Sequence, residues 1–182
     1  MAEKQKTIII TAIIAVLFIG VIFGAYFGYK KLSEKYDPSG TVSADGKEEY
    51  KNFSMTDTSN NKVNLSDFIG QPVVINFWAY WCEPCKSELP HFDKLAKEYD
   101  GRVKFLMVNV FADGKKDKAL DFVSRNGYTF SLYFDNEDSA VSAYGISAVP
   151  ETIFISSDGK IAARRVGAMS EAVLRSYINQ IM

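Results

Sequence analysis

The chain is poor in cysteine and histidine, with two cysteines, Cys82 and Cys85, and one histidine, His91, among its 182 residues. Two cysteines so close together exclude a secreted scaffold stapled by several disulfides, because such scaffolds need cross-links spread along the chain. A closed zinc site takes about four ligands, usually a second cysteine pair or histidines. With only His91 left to offer, no metal site is expected, and copper held by these three residues is a poor fit. An excess of one charge is missing as well. Lys plus Arg number 21 and Asp plus Glu 22, and no basic stripe stands out. Proteins that grip phosphate backbones concentrate cations, so nucleic acid is not an expected partner. Disorder is excluded too, since 47% of the residues are hydrophobic, enough to build a packed core.

One long hydrophobic run is present, at the front. No residue from Thr7 to Tyr29 is charged. As a helix this run spans about 34 Å, against about 30 Å of bilayer hydrocarbon. It ends in Tyr26, Phe27 and Tyr29 followed by Lys30 and Lys31, which reads as an interfacial anchor and not as a small-residue cleavage site. Residues 7–29 are therefore expected to be a retained transmembrane helix. Lys4, Lys6 and the terminal amine on one side balance Lys30, Lys31 and Lys35 on the other, so local cations do not set its orientation. No cysteine lies near enough to be a lipid-modified tether. Residues 30–52 are polar, hold Pro38, Gly40 and Gly46, and lack apolar periodicity, which reads as a linker.

From Phe53 to Met182 short apolar runs alternate with helical patterns, so a single α/β domain is expected over 53–182. Pro72–Trp78 and Val103–Val110 are rich in β-branched and aromatic residues with little alternation, as in central strands covered on both faces. Between them Leu89, Phe92, Leu95, Ala96 and Tyr99 recur at helical spacing, giving a strand, helix, strand unit with a right-handed crossover. A charged helix near Lys115–Asn126, a short strand Phe130–Asp135 and a helix around Ser139–Tyr144 follow. Glu151–Ser156 and Lys160–Val166 flank Ser157-Asp158-Gly159 and read as an antiparallel hairpin. Ser170, with Glu171 behind it, caps a last helix. The sheet is expected to be mixed.

The cysteines stand between a buried strand and a helix. Unpaired N–H groups at a helix start, with the positive end of its dipole, favour a thiolate over a thiol. Cys82 is thus expected to be an unusually acidic, attacking sulfur, and Cys85, one turn on, a more deeply buried resolving sulfur. Two inert core thiols are the alternative. Pro90 lacks the N–H that would reach the Lys86 carbonyl and is expected to kink the helix.

The stretch Trp81-Cys82-Glu83-Pro84-Cys85-Lys86 resembles the W-C-x-P-C-K signature of thioredoxin-like oxidoreductases. The likeness runs from about Phe53 to the C-terminus and includes "NFWAYWC" and "SAVPETIFI". Helix 115–126 with strand 130–135 looks like the α-β insertion of the membrane-anchored TlpA/ResA branch, as do the single anchor, the Glu-Pro dipeptide and Glu88. The resemblance implies a thioredoxin-like fold, with a central mixed sheet flanked by helices, and a redox-active Cys82–Cys85 disulfide with no cofactor. It implies that Pro150 is a cis proline facing the cysteines. Substrate would lie against Val149 and Pro150, with Trp81, Glu83 and Pro84 beside it and Trp78 adding apolar surface. Where cytosolic thioredoxins carry an aspartate six residues before the first cysteine, this chain has Asn76, which cannot shuttle a proton. That task passes to Glu88. Glu151 replaces a frequent threonine. The resemblance further implies the outer face of a bacterial, Gram-positive cell membrane, with residues 1–6 in the cytoplasm. Substrates would be disulfide-bearing exported proteins such as apocytochrome c, with electrons from a CcdA-type membrane protein. A disulfide-forming oxidase and a metal-delivery module are the rival readings.

Overall fold

The computed structural model describes residues 48–111 and 115–182, together with Gly20, Phe23, Gly24 and Tyr26 and the backbone of Thr41 and Val42. The chain divides after Pro38. In the first unit the four described residues are helical and exposed. The anchor expected over 7–29 otherwise lies outside the described residues, among which no helix is long and apolar enough to cross a membrane.

The second unit is built from β1 (Thr41–Val42), β2 (Ser54–Thr56), β3 (Lys62–Asn64), a 3-10 turn (Leu65–Phe68), β4 (Val73–Trp78), α1 (Glu83–Glu98), β5 (Lys104–Asn109), α2 (Lys116–Arg125), β6 (Leu132–Phe134), α3 (Ser139–Tyr144), β7 (Glu151–Ile155), β8 (Ile161–Val166) and α4 (Glu171–Ile181). They form one mixed sheet in the order β1-β8-β7-β4-β5-β6-β2-β3. Parallel pairs β4·β5 and β5·β6 lie at its centre, and β4·β7, β7·β8, β8·β1, β6·β2 and β2·β3 are antiparallel. Every residue of β4 is buried, as a continuous apolar run covered on both faces should be.

Alternation along the strands divides the core in two. Val74, Trp78, Phe105, Met107 and Phe154 face the layer of α1, α2 and α4, where Leu89, Phe92, Leu95, Leu174 and Ile178 meet them. Val73, Ile75, Phe77, Leu106, Val108 and Ile153 face the other way, onto Phe53, Leu65, Tyr144 and Ile146. Helix α1 is seated by apolar residues at helical spacing. It runs on through Pro90 to Glu98 without a break.

The linker expected over 30–52 needs correction. Thr41 and Val42 pair with Arg165 and Arg164 of β8, Glu49 bridges to Lys160, and Tyr50 N donates to Gly159 O at 2.9 Å. The sheet therefore recruits backbone from before Phe53. These segments are polar, but what holds them is main-chain hydrogen bonding, which leaves no apolar period to read.

Candidate active site

Strand β4 ends at Trp78, and three residues later the chain turns into α1 at the carboxyl ends of β4 and β5, the edge where open α/β sheets bind ligands. Cys82 is the N-cap of α1. Its N–H donates to the Ala79 carbonyl at 3.1 Å, and its sulfur accepts from the backbone N–H of Cys85 at 3.2 Å. Pro84 sits in the first turn, where its missing N–H costs nothing. Cys82 and Cys85 are joined in a disulfide. Cys82 is 5% exposed and Cys85 fully buried, so of the two residues only Cys82 keeps any access to solvent.

Across from the disulfide the Val149–Pro150 peptide bond is cis. The Val149 carbonyl oxygen lies 3.5 Å from Cys82 Sγ. Pro150 O accepts from Gly167 N at 2.8 Å, which ties this turn to the end of β8, and Gly167 adopts φ +93°, a conformation suited to glycine. Trp81 is 52% exposed beside the cysteines. Glu83 and Pro84 are exposed too, and Glu83 pairs with Lys86 at 2.6 Å. Trp78 differs from expectation: it is fully buried and packs on Phe122 of α2 at 6.1 Å between ring centroids, so it offers no surface to a substrate. Lys86 lies over the same Phe122 ring at 5.7 Å, and the insertion thus braces the start of α1.

Behind the disulfide Glu88 is 1% exposed. Its Oε1 accepts from Asn76 Nδ2 at 2.8 Å and its Oε2 from Met169 N at 2.9 Å. Burial pushes the Glu88 carboxyl up to about 7, against the pull of those two donors and of the Arg165 charge. A carboxyl poised there can take or give a proton near neutrality, one helical turn from Cys85.

Of the residues singled out in the sequence, Cys82 and Cys85 are joined, the cis Val149–Pro150 bond lies across from Cys82, and Glu88 follows Cys85 by one turn of α1. Sequence reasoning missed Thr152, whose Oγ1 accepts from Asn76 Nδ2 at 3.0 Å, and the Met169 N–H. The alternation Pro150, Thr152, Phe154 on one face of β7 was a usable signal for the first, whereas a backbone donor in a loop leaves none. Glu151 points to the opposite face, where it is buried and paired with Arg164.

The N–H directed at Cys82 Sγ, at the first turn of a helix of 16 residues, favours the anion once the disulfide is reduced. Iodoacetamide is expected to alkylate Cys82 of the reduced protein at pH 6 at least about tenfold faster than a cysteine in an unfolded peptide. Equal rates would mean that the helix start does not activate this sulfur.

A strand end leading into a Cys-x-x-Cys disulfide at a helix start, faced by a cis proline, defines a thioredoxin-like thiol-disulfide oxidoreductase. The chain belongs to the AhpC/TSA family, whose pattern matches residues 47–164. It is 32% identical to the thiol-disulfide oxidoreductase ResA of Bacillus subtilis (strain 168), over all of this chain and 96% of that protein. It is 30% identical to ResA of Geobacillus kaustophilus (strain HTA426), over all of this chain and 99% of that one. Among solved structures, StoA from Bacillus subtilis superposes with a TM-score of 0.60 at 26% identity, over 69% of this chain and 95% of its own. A DsbF homologue from Corynebacterium diphtheriae superposes with a TM-score of 0.66 at 28% identity, over 79% and 96%.

Proposed function

We propose that the protein is a membrane-tethered reductase that opens disulfides in exported proteins, apocytochrome c among them, on the outer side of the bacterial cytoplasmic membrane. The observation that carries this reading is the division of labour between the two cysteines: Cys82, the less buried of the pair, lies against the Val149 carbonyl, and Cys85, fully buried, stands one helical turn before the buried Glu88. Support for the tether is the uncharged run Thr7–Tyr29. Likeness over the full chain to ResA proteins supports the choice of reaction.

In the reduced enzyme the Cys82 thiolate attacks one sulfur of the substrate disulfide. The substrate S–S bond breaks, a Cys82–substrate bond forms, and the departing substrate thiolate takes a proton from solvent. Glu88 then accepts the Cys85 proton, and the Cys85 thiolate attacks Cys82 Sγ. The Cys82–Cys85 bond forms, the second substrate sulfur leaves as a thiolate, and the proton held by Glu88 is available to it. Substrate gains two electrons and two protons, and the enzyme is left as the disulfide. A CcdA-type membrane dithiol restores it by the same exchange in reverse. Exposed Trp81, Glu83 and Pro84 with the Val149–Pro150 turn form the contact surface.

The test is a trap. Cys85→Ala removes the resolving sulfur, so exported cysteine proteins are expected to accumulate in cells as mixed disulfides on Cys82, recoverable after acid quenching and released by dithiothreitol. If none accumulates, the reductase reading falls.

A further inference from the structure

Behind the disulfide a line of side chains crosses three elements. Asn76 of β4 lies directly opposite Thr152 of β7 in the antiparallel register, so both side chains project to the face that carries α1. Asn76 Nδ2 donates to Thr152 Oγ1 at 3.0 Å and to Glu88 Oε1 at 2.8 Å. Asn76 and Thr152 are fully buried and Glu88 is 1% exposed. Asn76 Oδ1 has no hydrogen-bond partner among the described residues, so the oxygen does not decide which way the amide faces. The carboxylate decides it, because an ionised carboxylate can only accept. Turning the amide over would set an oxygen against the carboxylate and lose that bond, whereas the Thr152 hydroxyl can pair with either end of the amide.

We propose that Thr152 and Asn76 are positioning residues for proton transfer at Glu88: the Thr152 hydroxyl fixes the Asn76 amide, and the amide holds the carboxylate ready to receive the Cys85 proton. This rests on the reading of Glu88 as the proton acceptor. Hydrogen bonds donated to a carboxylate favour its ionised form, and here Asn76 Nδ2 grips one oxygen while Met169 N grips the other. The Arg165 charge from β8 acts in the same sense, and burial opposes all three. On α1 itself the titratable groups one turn from Glu88 are Cys85 and His91. Strand β4 brings only Asn76, and β7 only Thr152, because Glu151 lies on the other face with Arg164. The hydroxyl therefore works at one remove from the carboxyl. Without it the amide keeps one anchor of two, and its aim at Oε1 is lost for part of the time.

The test uses the full chain in detergent micelles, with two readouts: the titration midpoint of the Glu88 side-chain carbon by NMR, and the rate at which Cys85 resolves a mixed disulfide between Cys82 and a small aromatic thiol. Asn76→Ala and Thr152→Val are expected to raise the midpoint. A rise of about one unit lowers the ionised fraction about tenfold at pH 6. The resolution rate should fall to match there and return to the parent value near pH 9. Thr152→Ser keeps the hydroxyl and should restore both readouts, and this pair carries the test if Asn76→Ala does not fold. Rates lowered equally at every pH, with the Glu88 midpoint unmoved, overturn the proposal. Glu88→Gln separates the two levels. If it slows resolution while the other variants leave the midpoint in place, the positioning role alone fails; if it leaves resolution unchanged, the reading of Glu88 fails and takes this proposal with it.

Discussion

Glu88→Gln is expected to slow the step in which Cys85 releases product by about 10²- to 10⁴-fold at neutral pH, the usual contribution of a positioned general base. Formation of the mixed disulfide, which needs only Cys82, should be little changed, so single-turnover kinetics will show the intermediate accumulating. The same substitution has a thermodynamic signature. Burial lifts the carboxyl to about 7 in the folded chain, against 4.5 for an ordinary glutamate. Between those values the folded state binds the extra proton. Stability from this group is therefore fully present below about pH 4.5 and is lost as pH rises through about 7, a change of about 3 kcal/mol. From urea unfolding, the stability of the oxidised parent should fall by about 2.5 kcal/mol more between pH 5 and pH 8 than that of Glu88→Gln. A variant that keeps the parent's slope would show that Glu88 is not the group that titrates.

Phe92→Ala should cost about 3–5 kcal/mol of the 5–15 kcal/mol that hold an ordinary domain together. Phe92 is fully buried and belongs to the cluster that contains Trp78, Leu89, Phe105 and Met107. Cys85, Leu89 and Phe92 share the inward face of α1, so a cavity here loosens the seat of the resolving sulfur as well as the fold. Denaturant unfolding of the full chain should show a lowered midpoint with an unchanged slope. A loss below about 1 kcal/mol would mean that the helix is not seated through this ring.

Much of this was legible in the sequence. Strands β4 and β5 and helix α1 follow from apolar runs long enough to carry a period, and Ser139–Tyr144 falls where its pattern placed it. Ser170 caps α4 through Val173 N, as its residue type suggests. Strands β1, β2 and β3 were not legible. Two or three residues such as Ser54-Met55-Thr56 are too few to show alternation, and what fixes them is pairing with distant strands. At the site, the cysteine spacing announces itself, while the environment of Glu88 does not. Its partners lie 12 and 81 residues away in the chain, and one of them is a backbone N–H. Asn76 was read as a lost proton carrier. In the fold it is a donor, which is a different use for the same absence of charge.

The pairing of Thr41–Val42 along β8 bears on how copies of the chain meet one another. An open strand edge invites the matching edge of a neighbour. On this side the chain's own backbone already occupies part of that edge, and the far side ends in β3, three residues long and beginning with a lysine. Copies that met edge to edge would thus find little to zip onto, which leaves the disulfide of each uncovered by its twin.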